Sequence, residues 1–278
     1  MAHLESKDIL PLLSELSQHG EEGLFAVMEI VTMVLHGGAE LTDDLVLILQ
    51  SVLVDPKLFD SAGKHHRMGY TFDRVIKALV RRNKIDVQFA KALIKQLLSI
   101  CTPARKDVFH ELSRPVRDSL RAIIHLYPLE VWTNVAKLLV SADVIVHHRI
   151  EQLVMTDRDN YQGPGFLFAI PGDIYLEWAR KDPVHHASIV IRWLPITSTT
   201  QEGSLAWHPA LESFISQFGN EPSVLGALSR RLQPMSWYGS LKPHIEPQIK
   251  LLELWTTHQQ PRVRQWARER INWINTQV

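Results

Sequence analysis

Residues Pro261–Asn275 have the sequence PRVRQWARERINWIN, whose apolar residues recur every three or four positions. That spacing places four of them on one face of a helix, namely Val263, Ala267, Ile271 and Ile274. Proline is tolerated as the first helical residue, because the N–H that it lacks would have no partner there. Ala267 is small enough for a second helix to approach closely. The stretch therefore predicts an amphipathic helix that packs against a neighbouring helix.

The same helical period extends over the rest of the chain. Apolar residues repeat at a spacing of about 3.6 residues rather than 2, and brief connections separate the repeats. Two β-branched runs, at 144–146 and 189–191, lie inside longer helical patterns. The pattern predicts about fifteen short helices. A single helical hairpin buries only one face, so we expect about seven hairpins to stack into an all-α solenoid.

Charge is balanced overall but segregated along the chain. The 278 residues include 30 Lys and Arg and 30 Asp and Glu, which argues against a uniformly basic nucleic-acid binder. Residues 1–50 nevertheless carry a net charge of −8 and residues 51–121 a net charge of +8, and all eight tryptophans lie at or beyond Trp132. We therefore distinguish hairpins with acidic and then basic segments, 1–126, from tryptophan-rich hairpins, 127–278, within one continuous array.

No stretch of the sequence predicts a targeting or membrane segment. The N-terminal residues lack a basic-then-apolar pattern. The longest apolar stretches fall short of the roughly 20 residues that span a bilayer. We expect a cytoplasmic chain that has no membrane partner.

Residues that could support catalysis are few. The sequence contains no H-E-x-x-H motif, and His147, His148 and Glu151 would supply half of a metal site at best. Cys101 is the only cysteine, which excludes an intramolecular disulfide, and we expect it to be a buried and inert thiol. The sequence therefore favours a non-enzymatic protein that uses no cofactor and no metal.

Two resemblances add to this interpretation. The helix at 261–275 resembles the second helix of a HEAT repeat, with looser echoes at 114–124 and 182–193. Residues 175–278 also resemble the C-terminal helical-repeat arm of bacterial signal-transducing (STAND-type) ATPases, many of which act in anti-phage defence. The motifs that carry this resemblance are Trp207-His208-Pro209, the box MSWYGSL at Met235–Leu241, and the segment 251–267. The resemblance implies a HEAT-like α-solenoid that acts as a sensor or binding arm.

The chain departs from that family in one respect. The phosphate-binding loop G-x-x-x-x-G-K-[ST] is absent, because Leu58 occupies the position of the first glycine before Gly63-Lys64 and His65 follows. The ATPase activity of the family is therefore not carried over. The expected partner is another protein, which would be an effector, an ATPase or a phage component.

Two groups of residues are candidates for partner contact. The first is basic and could line a groove for a phosphate backbone, although the residues near 81–84 could instead complement a helix C-terminus. It consists of Arg114, Arg117 and Arg121 at positions i, i+3 and i+7, together with Arg81, Arg82 and Lys84. The second group is aromatic: Trp237 and Tyr238 could form a recognition surface or could fill a tight turn.

The sequence thus leads to one principal hypothesis and two alternatives. The principal hypothesis is a non-enzymatic protein-binding module in bacterial defence, with residues 1–50 and 51–121 as candidate contact regions. The first alternative is a HEAT-like nucleic-acid-binding protein that uses a local basic groove. The second alternative is a hydrolase that uses the histidine-rich middle of the chain.

Overall fold

The computed structural model of the protein describes residues 6–38, 40–59, 68–154, 169–200, 202–232 and 242–276. The described part is mostly helical, with fourteen α-helices and one short two-stranded sheet, as an all-α chain requires. The chain forms two compact units, Met1–Ile170 and Pro171–Val278. The composition-based boundary at 126/127 falls within the first unit. Within the described residues, every helix is too short or too polar to cross a membrane.

The first unit contains eight α-helices in its described residues. They are α1 (Ser6–Leu16), α2 (Gly20–His36), α3 (Asp43–Val54), α4 (Met68–Arg81), α5 (Val87–Leu98), α6 (Lys106–Ile124), α7 (Pro128–Leu139) and α8 (Val144–Val154). Short 3-10 turns at Pro56–Phe59, Ser99–Cys101 and Pro103–Arg105 connect some of them. The β-branched run 144–146 belongs to α8, as its helical context predicts.

Helices of the first unit pack on the helix two positions along the chain, and several also pack on the next helix. Odd-numbered helices pack on odd-numbered ones, α1 on α3, α3 on α5 and α5 on α7. Even-numbered helices pack in the same way, α2 on α4, α4 on α6 and α6 on α8. Each helix from α1 to α6 therefore packs on the helix two positions further along the chain.

The contact between α4 and α6 is close because both helices carry unusual residues there. Gly69 leaves a space on α4, in which a Cβ atom would lie 2.5 Å from Cγ of Pro115 on α6. The sequence pattern predicts two helices, 104–112 and 115–126, with a break before Pro115. That prediction is wrong, since α6 continues through Pro115 as one helix of 19 residues. Pro115 costs the helix one backbone hydrogen bond, and its ring lies in the space beside Gly69 of α4.

The second unit contains six α-helices and a small hairpin in its described residues. They are α9 (Gly172–Lys181), α10 (His186–Val190), β1 (Thr197–Thr199), β2 (Leu205–Trp207), α11 (Pro209–Phe218), α12 (Pro222–Arg231), α13 (Lys242–Trp255) and α14 (Pro261–Asn275). The helical period predicts neither strand. β1 and β2 pair in antiparallel register from Thr197 opposite Trp207 to Thr199 opposite Leu205. Gly203 supplies the positive φ of +81° in the connecting turn.

Two tryptophans, Trp207 and Trp255, lie in the core of the second unit. The indole rings of Trp207 and Trp255 stack with centroids 4.1 Å apart, and Trp266 lies 5.9 Å from Trp255. Nε1 of Trp207 donates a hydrogen bond of 2.8 Å to the carbonyl of Leu251, which satisfies the one polar atom of that buried ring. These three tryptophans of the tryptophan-rich region therefore contribute to packing inside the second unit.

Candidate functional site

A cleft with a basic lining lies between α2 and α4 in the first unit. Its volume is about 570 Å³, and we refer to it as the α2–α4 cleft. The lining residues are Thr32, Leu35 and His36 of α2, Asp73, Arg74, Lys77, Ala78 and Arg81 of α4, and Arg82, which follows α4. Four of these side chains are cationic at neutral pH and one is a carboxylate. The cleft is therefore a positively charged concavity in a chain whose overall charge is zero.

The sequence of α4 places its cations on one face. Arg74, Lys77 and Arg81 are at positions i, i+3 and i+7, so they follow one another along the helix over about 10 Å. The core-facing side of α4 carries the buried residues Met68, Gly69, Thr71, Phe72, Val75, Ile76 and Leu79. The apolar side fixes the helix in the unit, and the basic stripe consequently faces the cleft.

Asp73 is the acidic group of the cleft. Its Oδ2 atom is 2.6 Å from Nζ of Lys77, one helical turn away. Burial raises the pKa of Asp73 above the usual aspartate value, although Lys77 acts in the opposite direction.

Arg74 has a polar atom that its protein neighbours do not satisfy. Its guanidinium group lies over the ring of Tyr70, 4.8 Å from the centroid, in a cation–π contact. Its Nη1 atom is buried, and no hydrogen-bond acceptor reaches it among the described residues. A buried guanidinium nitrogen without an acceptor is costly, and Arg74 is a lining residue of the cleft.

The predicted basic residues separate into two groups. Arg81 and Arg82 line the α2–α4 cleft, whereas Lys84 forms an ion pair of 2.8 Å with Asp43. The three arginines of α6 do not line the cleft. The structure therefore places Arg81 and Arg82 beside Arg74 and Lys77 rather than in a joint groove with α6.

The α6 arginines have other neighbours. Arg117 donates hydrogen bonds to the carbonyl groups of Leu153 (3.0 Å) and Gln152 (3.2 Å), which are at the C-terminal end of α8. A cation at that end of a helix is stabilising, because the last carbonyl groups lack partners within the helix. Arg121 is 3.8 Å from Asp118 on the same helix. Arg114 is exposed.

The aromatic candidates Trp237 and Tyr238 lie outside the described residues. Their role as a recognition surface therefore stays a prediction.

The histidine-rich middle of the chain does not form a metal centre in the described residues. His147 is 3.2 Å from Glu151, and Nε2 of His148 is 2.9 Å from Nε2 of Gln152. No group of three or more potential metal ligands is found in the described ranges. Cys101 is buried, and burial raises the pKa of its thiol to about 12, so little reactive thiolate is present at neutral pH.

Sequence reasoning singled out Arg81 and Arg82 but not Arg74, Lys77 or Asp73. A signal was present in the sequence, since Arg74, Lys77 and Arg81 share the i, i+3, i+7 spacing that drew attention to α6. What the sequence does not contain is the position of α2 opposite that stripe, which creates the cleft.

No protein-family model matches the chain, and no match was found among solved structures.

Proposed function

We propose that the chain is a non-enzymatic binding module of HEAT-like helical hairpins, which recognises an acidic partner protein through the α2–α4 cleft. The alternation of odd-on-odd and even-on-even packing from α1 to α8 supports the solenoid part of the proposal, because stacked hairpins make these contacts. Concave surfaces of such arrays are commonly used for binding.

The observation that carries the proposal is the charge of the cleft. Arg74, Lys77, Arg81 and Arg82 line the α4 side of a concavity that contains one carboxylate, Asp73. A concave surface lined by charges of one sign attracts and orients a partner of the opposite sign. An acidic loop or helix on a partner protein would thereby be selected over a basic one.

The biological setting is part of the proposal. The resemblance of residues 175–278 to the arm of STAND-type ATPases supports a role in bacterial anti-phage defence, in the cytoplasm. The partner would then be an effector, a separate ATPase or a phage component. The chain would supply recognition, and its partner would supply the activity.

The experiment is affinity capture from the bacterial host during phage infection, using the wild-type chain and two charge-reversed variants. Arg81→Glu with Arg82→Glu alters the cleft. Lys91→Glu with Lys95→Glu makes the same change of charge at two exposed positions of α5 that do not line the cleft. We expect both the wild type and the α5 variant to enrich the same acidic protein and the cleft variant to lose it. Equal enrichment by the two variants would contradict the proposal.

Nucleic-acid binding is the second candidate function, because the stripe formed by Arg74, Lys77 and Arg81 also suits a phosphate backbone. It predicts that a labelled 20-nucleotide duplex binds the chain with an affinity that falls steeply between low and moderate salt. The same two charge-reversed variants discriminate here, since only the cleft variant should lose the duplex. Absence of binding even at low salt removes this candidate.

A further inference from the structure

We infer that the α2–α4 cleft is a site for a small phosphate-bearing ligand of about the size of a mononucleotide. The inference rests on the proposed function in using the same cleft, but it concerns a different ligand. It implies that such a ligand and the acidic partner compete for one set of cations.

The first argument is the unsatisfied Nη1 atom of Arg74. Arg74 is a lining residue of the cleft, and its Nη1 atom is buried and lacks a hydrogen-bond acceptor among the described residues. The cost of such an atom is removed when the guanidinium group turns toward the cleft and a ligand oxygen accepts its hydrogen bond. A phosphate group offers several strong acceptor oxygens and binds the planar guanidinium group through paired hydrogen bonds.

The second argument is the amount of positive charge. Arg74, Lys77 and Arg81 line the cleft together with one carboxylate, Asp73, which is already paired with Lys77 at 2.6 Å. A carboxylate carries one negative charge, whereas a phosphate monoester carries about 1.5 to 2 at pH 7. Two linked phosphate groups would extend along the stripe of about 10 Å from Arg74 to Arg81 and contact both ends.

The third argument is the shape of the site, which favours a small ligand over a polymer. The volume of about 570 Å³ falls in the range of small-molecule pockets. Leu35 and Ala78 provide an apolar part of the lining, and Thr32 provides a hydroxyl group, for the organic portion of the ligand. The basic residues that would extend a track for nucleic acid lie elsewhere: Arg117 bonds to the end of α8, and Lys84 pairs with Asp43.

The test is isothermal titration calorimetry on the full chain, with ATP and inorganic pyrophosphate as separate probes in metal-free buffer. We expect binding of one ligand per chain. Arg74→Gln and Arg81→Gln should each weaken it about tenfold or more, because each removes a charged hydrogen bond. Asp73→Asn should strengthen it several-fold, because it removes the opposing carboxylate. Lys91→Gln with Lys95→Gln is the matched control and should leave the affinity unchanged. Circular dichroism checks that every variant is folded, and Arg81 is exposed, so its variant remains informative if Arg74→Gln misfolds.

Three results would overturn the inference. The first is no heat from either probe at millimolar concentration. The second is equal weakening by the cleft and control variants. The third is an affinity for single-stranded oligonucleotides that rises with length and exceeds that for ATP, which would identify a polymer site.

The outcomes also separate this inference from the proposed function. If neither probe binds but partner capture depends on Arg81 and Arg82, only the small-ligand inference fails. If pyrophosphate or ATP binds in the cleft but partner capture does not depend on these arginines, only the proposed function fails.

Discussion

Asp73 shows how a single ionisable group shapes both stability and the charge of the cleft. Because burial raises its pKa in the folded protein, the folded state binds more protons than the unfolded state at pH values between the ordinary aspartate pKa and the raised one. Stability therefore decreases as the pH rises through that window. Above that window the ionised carboxylate is a net cost to the fold, which the ion pair with Lys77 only partly offsets.

Replacing Asp73 with asparagine tests this cost. We expect Asp73→Asn to be at least as stable as the wild type at pH 7, because it removes the buried charge while keeping the shape of the side chain. The difference should shrink as the pH falls and the wild-type carboxyl becomes protonated. Urea unfolding at pH 7 and pH 4.5 measures both effects. A variant that is clearly less stable at pH 7 would mean that the pairing with Lys77 outweighs burial.

His258 produces the opposite pH dependence in the second unit. Its Nδ1 atom accepts a hydrogen bond of 3.1 Å from the backbone N–H of Gln260, just before α14 begins, so the ring acts there as an acceptor. Burial and the nearby Arg264 lower the pKa of His258 below its usual value. The contribution of the neutral ring to stability is present above the ordinary histidine pKa and is lost as the pH falls through the lowered one.

We therefore expect the second unit to be less stable at pH 5.5 than at pH 7.5. His258→Asn keeps a side-chain acceptor near the start of α14 but cannot be protonated, so it should reduce that loss. His110→Asn, an exposed position in the first unit, serves as the control. Thermal unfolding followed by tryptophan emission measures the loss. An unchanged pH dependence in His258→Asn would assign the effect to another group.

At the scale of the helices, Gly69 sets the approach of α4 to α6. An added Cβ atom would lie 2.5 Å from Cγ of Pro115, and the proline ring cannot move away as a flexible side chain can. We expect Gly69→Ala to destabilise the protein by about 1–3 kcal/mol, as overpacked sites do.

The matched control for that prediction is Gly226→Ala in α12. No atom lies within 4 Å of the position that its Cβ would take. Alanine is favoured over glycine in a helix by about 0.5–1 kcal/mol, so this variant should gain stability. Urea unfolding of both variants measures whether each substitution lowers or raises the free energy of unfolding. A neutral or stabilising Gly69→Ala would show that α4 and α6 separate at little cost.

The sequence predicts those helices best whose ends carry their own signals. Pro261 begins α14, and Asp86 accepts hydrogen bonds from the backbone N–H groups of Gln88 and Phe89 at the start of α5, as expected from their positions. The strands β1 and β2 have three residues each, too few for an alternating pattern to emerge. The continuity of α6 through Pro115 depends on packing against α4, which local rules do not include.

The candidate site was predictable only in part for the same reason. Helical spacing identifies a basic stripe but does not show what faces it. The arginines of α6 have the same i, i+3, i+7 spacing as the cations of α4. Arg117 nevertheless donates hydrogen bonds to the carbonyls at the end of α8. Arg81 faces a cleft because α2 lies opposite. Tertiary packing, rather than spacing in the sequence, therefore decides that Arg81 lines a cleft and that Arg117 does not.

At the scale of the whole molecule, the two compact units carry different spectroscopic probes. Seven of the eight tryptophans lie between Trp178 and Trp273, in the second unit, and Trp132 is in the first. Cys101, the only cysteine, is 1% exposed in the core of the first unit. Thiol labelling therefore reports on the first unit, and tryptophan emission reports mainly on the second.

We expect the two probes to give separate unfolding midpoints in urea, because each unit has its own hydrophobic core and units of this kind unfold as independent cooperative transitions. Trp132→Phe makes the comparison strict, since it leaves tryptophans only in Pro171–Val278. The labelling of Cys101 should be slow below its midpoint, because the buried thiol has a pKa of about 12, and rapid above it. Coincident midpoints for both probes, in the wild type and in Trp132→Phe, would show instead that the chain unfolds as one cooperative body. The same Cys101 signal would then also report on variants of the second unit such as His258→Asn, whereas with independent units it should not respond to them.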